Sequence, residues 1–233
     1  CLTEIPWVDV DRQLASVMPL LQRIRAIRCW LPGPKGQLLE EAFSVELTPK
    51  SVQRRFPDSI IENQRALLSG RVRITRYGSH GDSREQPYAG FESLLADSAL
   101  SDLHDSDYWP QDISVNPETA EDKESPEKAS PHAFVSFIST PRAPEKKACL
   151  RISWAVFLPV GEYAEEVPLE AESDVCLTLH GYFFLDAGRK QVEGIDGEEP
   201  SDISNEASLR LAWNIRLRRL GVFPLVLPAL KAW

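Results

Sequence analysis

Two kinds of residue in this chain stand where they could do chemistry: histidines beside acids or serines, and cations at the ends of apolar runs. The histidines are His80, His104, His132 and His180. In "LHDSDYWPQD", His104, Asp105, Asp107 and Asp112 have the side-chain types of a metal site, but their spacing matches no recognised ligand pattern. Acids that follow a helix end are ordinarily solvated, so a surface loop is expected there. "GSHGD" places Ser79 next to His80, a hydroxyl beside a base. Sequence neighbours in a glycine turn seldom face one another with a third group orienting the base, so this too reads as a loop. The chain has no glycine-rich phosphate loop, dinucleotide fingerprint or nucleophile elbow.

Cations gather in three places. "HGYFFLDAGRKQVEG", residues 180–194, is an apolar run that stops at Asp186 and turns through Gly188, Arg189 and Lys190. Arg23, Arg25 and Arg28 alternate along an early stretch, and Arg210, Arg216, Arg218 and Arg219 lie near the end. Solvated faces with local ion pairs are the ordinary use of such residues. Nucleic-acid contact through Arg23, Arg25 and Arg28 is the alternative.

The 233 residues suit one large or two small domains. A net charge of −9 argues against a general binder of nucleic acid or anionic membrane. No apolar run approaches the roughly 20 residues of a membrane-spanning helix, so no membrane partner is expected and the chain is read as cytoplasmic. Cys1, Cys29, Cys149 and Cys176 are scattered, which points to reduced thiols rather than a metal or redox pair. The opening on Cys1 suggests a piece of a longer protein.

Leu14, Val17, Met18 and Leu21 predict a short amphipathic helix, kinked or ended by Pro19. From Arg23 to Trp30 the pattern alternates, slipping register once; "PGPKG" is a turn and Leu38–Leu47 the returning strand. "SIIENQRALLSG" predicts a helix stopped by Gly70, followed by a strand over Arg71–Tyr77. "GSHGDSREQPYAG" reads as a loop and "FESLLADSALSDL" as a helix. Residues 110–132, rich in Pro, Glu, Ser and Lys, form an acidic mobile loop by composition. Ala133–Ser139, Cys149–Val160 and Asp174–Asp186 are further strands joined by polar connectors, and a last helix starts near Ser204 or Asn205. The sum is an α+β domain spanning 1–233, with a mixed sheet of about six strands and helices on one face.

The pattern "HGYFFLDAGRKQVEG", followed by "LRLAWNIRLRRLGVFPLVLPAL", resembles the sacsin-type and related chaperone-like ATPases of the gyrase, heat-shock-chaperone, histidine-kinase and mismatch-repair superfamily. The matching part is the domain after the nucleotide-binding domain. There a strand of the form "hNGyFaL" runs into a "SxRR" corner, and a "WN" pair later opens a helix ending in apolar residues and proline. Here the matching stretches are His180–Lys190 and Trp213–Pro224, and "PLLQRIRAIRCW" resembles the same domain's opening. Ala187 and Gly188 depart from the pattern, since a Ser and a polar residue are commoner there.

The resemblance implies a fold like the second domain of ribosomal protein S-five. It implies a transducer domain that couples the nucleotide state of an adjacent ATP-binding domain to a partner or client protein. "ENQRA", around Glu62 and Asn63, lacks the spacing of the superfamily's own nucleotide site. The chain by itself is therefore expected to be neither an enzyme nor a cofactor binder, with ATP and magnesium held by the neighbouring domain of the same polypeptide. Arg189, and Lys190 as second choice, would reach that domain's terminal phosphate as a phosphate-sensing cation. Two other readings stand beside this one: a stand-alone protein-interaction module, and a nucleic-acid-binding domain of the same fold.

Overall fold

The computed structural model describes residues 7–21, 24–32, 39–48, 64–77, 81–109, 131–140, 142, 146–156, 158–160, 165–188 and 190–233. Among the described residues nine strands form one sheet: β1 (Ala26–Pro32), β2 (Leu39–Thr48), β3 (Gln64–Arg76), β4 (Asp82–Leu94), β5 (His132–Thr140), β6 (Cys149–Val156), β7 (Leu158–Pro159), β8 (Glu165–Pro168) and β9 (Asp174–Gly181). Their order is β1-β2-β3-β4-β5-β9-β6-β7, with β8 also paired to β6. β6 and β9 run parallel while the other paired neighbours are antiparallel, so the sheet is mixed and the class is α+β.

The expected hairpin of β1 and β2 is present, and its one register shift falls between Cys29 and Trp30, inside the stretch whose alternation slips in the sequence. The count of about six strands is too low because β4, β7 and β8 add to it, and β3 is longer than the stretch expected. Residues 64–70 belong to β3 rather than to a helix: Ala66 is buried while Leu67 is 44% exposed, a period of two. Gly70 lies opposite Tyr88 within the ladder and stops nothing; a Cβ there would meet the Tyr88 ring at 3.0 Å.

β4 takes up what reads as a loop and the start of a helix. Its Pro87 is tolerated because β5 pairs only from Tyr88 onward, leaving an open edge at the proline. Only Asp97–Ala99, a 3-10 turn, and α2 (Ser101–His104) remain of the expected helix around Leu103. β7 is the far end of the expected strand Cys149–Val160, and β8 comes from the polar connector that follows it. Of the expected mobile loop, residues 110–130 lie outside the described residues and His132 already belongs to β5.

Helices cover both faces of the sheet, not one. α1 (Trp7–Val17) and the 3-10 turn Met18–Leu20 begin earlier than the Leu14–Leu21 pattern indicates. They pack with Phe43, Val45, Val72, Ile74, Ile138 and Cys176, and their end reaches Phe134. On the opposite face lie α3 (Glu206–Arg216), a π-helical stretch Leu217–Val222, and α4 (Phe223–Ala232). They pack on Ala133, Val135, Phe137, Leu177 and Leu179. Successive β5 residues thus serve two cores, which is why that strand is an almost unbroken apolar run. Asp11, fully buried on α1, bonds Arg76 and Arg84 and so fastens the helix to β3 and β4. Among the described residues no helix is long and apolar enough to cross a membrane.

Candidate functional site

The corner that follows β9 is built by its own backbone first. Beyond Gly181 the buried Tyr182 and Phe183 lead to Leu185, which forms an isolated bridge with Val192. The Asp186 N–H donates to the Gln191 carbonyl at 3.1 Å and the Glu193 N–H to the Phe184 carbonyl at 3.1 Å. Within this loop Asp186 Oδ1 accepts from the backbone N–H groups of Lys190 at 2.7 Å and Gln191 at 3.0 Å. Those donors, Gln191 foremost, hold its carboxyl below the usual range. The ladder strand therefore ends five residues earlier than the expected Asp186, and a hairpin-like corner takes its place.

Helix α3 clamps this corner. Asn205 and Ser208 form a capping box that fixes where the helix starts, at one of the two expected positions. The Trp213–Asn214 pair lies in the second half of α3 rather than opening a helix, and its two residues do different work. Trp213 is fully buried and its indole N–H donates to the Tyr182 carbonyl at 2.9 Å. Asn214 Oδ1 accepts from Phe184 N–H, while its Nδ2 donates to the carbonyls of Phe184 and Glu193, all at 2.8 Å. One amide thereby bonds both limbs of the corner. Gly194 completes it: its φ of 61° is left-handed, and a Cβ there would lie 2.0 Å from Leu211 Cδ1.

At the tip, Lys190 is exposed, and Arg189 lies outside the described residues. Gly188 makes no tight demand, since a Cβ would meet Asp186 Oδ2 at an ordinary 3.4 Å. The departure from a polar residue at 188 is thus not imposed by the backbone. Chemically the corner is a clamped, solvent-facing loop with the exposed Lys190 near its tip, able to meet an anion.

The other candidate sets are arranged differently. Arg28 lies between Glu41, at 3.8 Å, and Glu46, at 3.2 Å. Arg25, just before β1, is half-buried, and Arg23 is outside the described residues. Arg210 pairs with Glu206 and lies over the Phe184 ring at 5.2 Å. Arg216 bonds Asp102 and Glu199, and Arg219 shares Glu199 at 3.4 Å.

Asp105 and Asp107 are exposed, as acids after a helix end are expected to be, but His104 is half-buried at the end of α2: its ring lies 4.6 Å from Trp109 and 5.5 Å from Trp213, so it props the clamping tryptophan. Ser79, His80 and Asp112, with Glu62 and Asn63, lie outside the described residues. Cys149 and Cys176 are buried free thiols, and burial pushes both up, Cys176 to about 11.

Sequence reasoning missed Asp186 and Asn214 as the residues that shape the corner. The available signal was Asn214 itself, a polar amide next to a tryptophan inside a helix rich in apolar residues. No family model, curated protein or solved structure matches this chain, so the role of the corner is argued from its own geometry.

Proposed function

We propose that the chain is a transducer domain whose Asp186–Gln191 corner presents a cation to the terminal phosphate of a nucleotide held by an adjacent ATP-binding domain of the same polypeptide, with a fold of the S-five domain-two type. The supporting observation is the clamp. Trp213 and Asn214 bond both limbs of the corner, so a charge at its tip is positioned before it meets its ligand. Positioning in advance is what makes a cation useful against charge that develops during phosphoryl transfer, since little reorganisation is then needed. Arg189 is the preferred cation by its match to the family motif, and Lys190, exposed beside it, is the second. ATP and its magnesium would belong to the neighbouring domain, and a client or partner protein would read the resulting motion.

The nucleic-acid reading is weakened by the carboxylates at Arg28, which would have to be displaced by phosphate. The test is ATP turnover and nucleotide-dependent closure of the chain joined to its ATP-binding domain. Arg189→Ala is expected to lower turnover by on the order of 10- to 100-fold while the fold is retained. Turnover and closure that are unchanged in both Arg189→Ala and Lys190→Ala remove the reading.

A further inference from the structure

A helix that is apolar all round belongs in an interior, because water on any side of it costs free energy. α4 has this composition, "FPLVLPALKA", yet only Leu225 and Ala229 are buried. Phe223 is 49% exposed, Leu227 66% and Leu230 47%, and Leu220, just before the helix, 43%. The spacings of four and three place Phe223, Leu227 and Leu230 along one side of α4, over about 10 Å of helix, and Leu220 is exposed in the π-helical stretch just before them. Exposed apolar residues scattered singly are ordinary, whereas a helical row continued by a further exposed leucine is the form of a binding face.

Charge indicates what covers it. The chain carries −9 overall, but residues 207–233 contain no Asp or Glu and five cations: Arg210, Arg216, Arg218, Arg219 and Lys231. Arg218 lies over the Phe223 ring at 5.6 Å. Arg216 is held by Asp102 and Glu199, and Arg219, 60% exposed, reaches the other oxygen of Glu199 at 3.4 Å, so Arg219 still presents its charge beside the row. Lys231 is exposed at its other end. Two copies docked row to row would set the Arg218, Arg219 and Lys231 of one against the same set of cations on the other, which disfavours a symmetric dimer. An anionic bilayer would be repelled by the rest of the chain. The α4 backbone is bonded within the helix, so the row offers side chains alone, which suits ridge-and-groove packing with another helix rather than strand addition.

We propose that Leu220, Phe223, Leu227 and Leu230 dock an acidic amphipathic helix of a partner protein, about three to four turns long, whose apolar side packs on the row and whose carboxylates flank it on Arg218, Arg219 and Lys231. The proposal does not depend on the corner's meeting a nucleotide, because the two surfaces can be altered separately.

The test uses a labelled helical peptide with leucine at alternating third and fourth positions and glutamate at the flanking ones. Its partner in the experiment is the same peptide with lysine for glutamate. The glutamate peptide is expected to bind saturably to the intact chain, and Leu227→Asp to weaken it at least about tenfold. Leu227 is exposed, so this change leaves the core alone, and circular dichroism checks the fold. Arg219→Glu with Lys231→Glu should weaken binding and flatten its salt dependence. Equal binding of the lysine peptide would overturn the proposal, as would insensitivity to Leu227→Asp. So would loss, in that variant, of phosphatidylserine-vesicle binding or of self-association in place of peptide binding.

Discussion

β9 and β1 are strands of one sheet with opposite surroundings. Every residue of β9 is buried, whereas β1 alternates exposed and half-buried along its length. The centre of the sheet, β5 and β9, lies between α1 on one side and the C-terminal helices on the other. At the β1–β4 margin, one side packs on α1 while the other carries crossed charges: Arg71 and Arg73 on Glu85, Arg28 on Glu41 and Glu46. Apolar area removed from water stabilises the first region, and exposed ion pairs add little to the second. The corner is attached to the first. It inherits rigidity from the helix that buries the sheet, which a loop hung on the charged margin would lack.

Removing the central packing should have the largest effect. Trp213→Ala should cost about 3–5 kcal/mol in denaturant unfolding, since it empties a fully buried site and leaves the Tyr182 carbonyl without its donor. Asp174→Ala should cost about as much for a different reason: it strips the buried Arg151 of one carboxylate, and the Cys149 N–H of its acceptor. Burial works against the Arg151 cation, and the bonds to Asp174 and Glu166 more than offset it, so its pKa is raised. A cost below about 1 kcal/mol for either variant would erase the contrast between centre and margin.

Asn214→Ala should cost about 2–3 kcal/mol, because three bonds to the corner are lost together. Its distinctive mark is local: amide exchange at Lys190, Gln191 and Glu193 should speed up more than at β5. Asn214→Asp should loosen the corner as well, since a carboxylate cannot donate to the Phe184 and Glu193 carbonyls.

His180 sharpens the comparison through pH. Burial, then the neighbouring His132, lowers its pKa from 6.5 to about 3, and its Nδ1 is bonded to the Ala155 carbonyl at 3.0 Å. Below 6.5 the unfolded chain takes up a proton that the folded chain refuses until about pH 3, so this residue makes stability fall with falling pH across that window. The stability gap between the wild type and His180→Asn should therefore narrow between pH 7 and 5, by on the order of 1–2 kcal/mol. A gap that does not move with pH contradicts the assignment. The smallest effect belongs to the margin: Glu85→Gln should leave the unfolding midpoint unchanged in moderate salt, although Arg73 and Arg71 hold that carboxyl below its usual range.

What the sequence made legible follows the same division. Where one face is buried and the other wet, alternation marks the strand, as in the β1–β2 hairpin with its bulge at Cys29 and Trp30. Where Ala66, Leu67 and Leu68 adjoin, or Pro87 interrupts, the pattern mimics a helix or a loop, because the pairing partners that settle the matter are distant in sequence. The placement of helices on both faces could not be read from α1 alone, since an amphipathic helix says that it packs and not on which side. At the corner, composition exposed the cations but not the clamp. Asn214 acts on backbone carbonyls 21 and 30 positions away, a relation visible only once the chain is folded.

If the clamped corner delivers a cation to a phosphate in a neighbouring domain, as we propose, cation and clamp must act as one unit. The most direct test is a double-mutant cycle on ATP turnover by the chain joined to its ATP-binding domain, using Arg189→Ala, Asn214→Ala and both together. Each single variant should lower turnover, and the double variant should be little worse than Arg189→Ala, because a clamp has nothing to position once the cation is gone. Full turnover in Arg189→Ala, or losses that simply multiply in the double variant, would contradict the account.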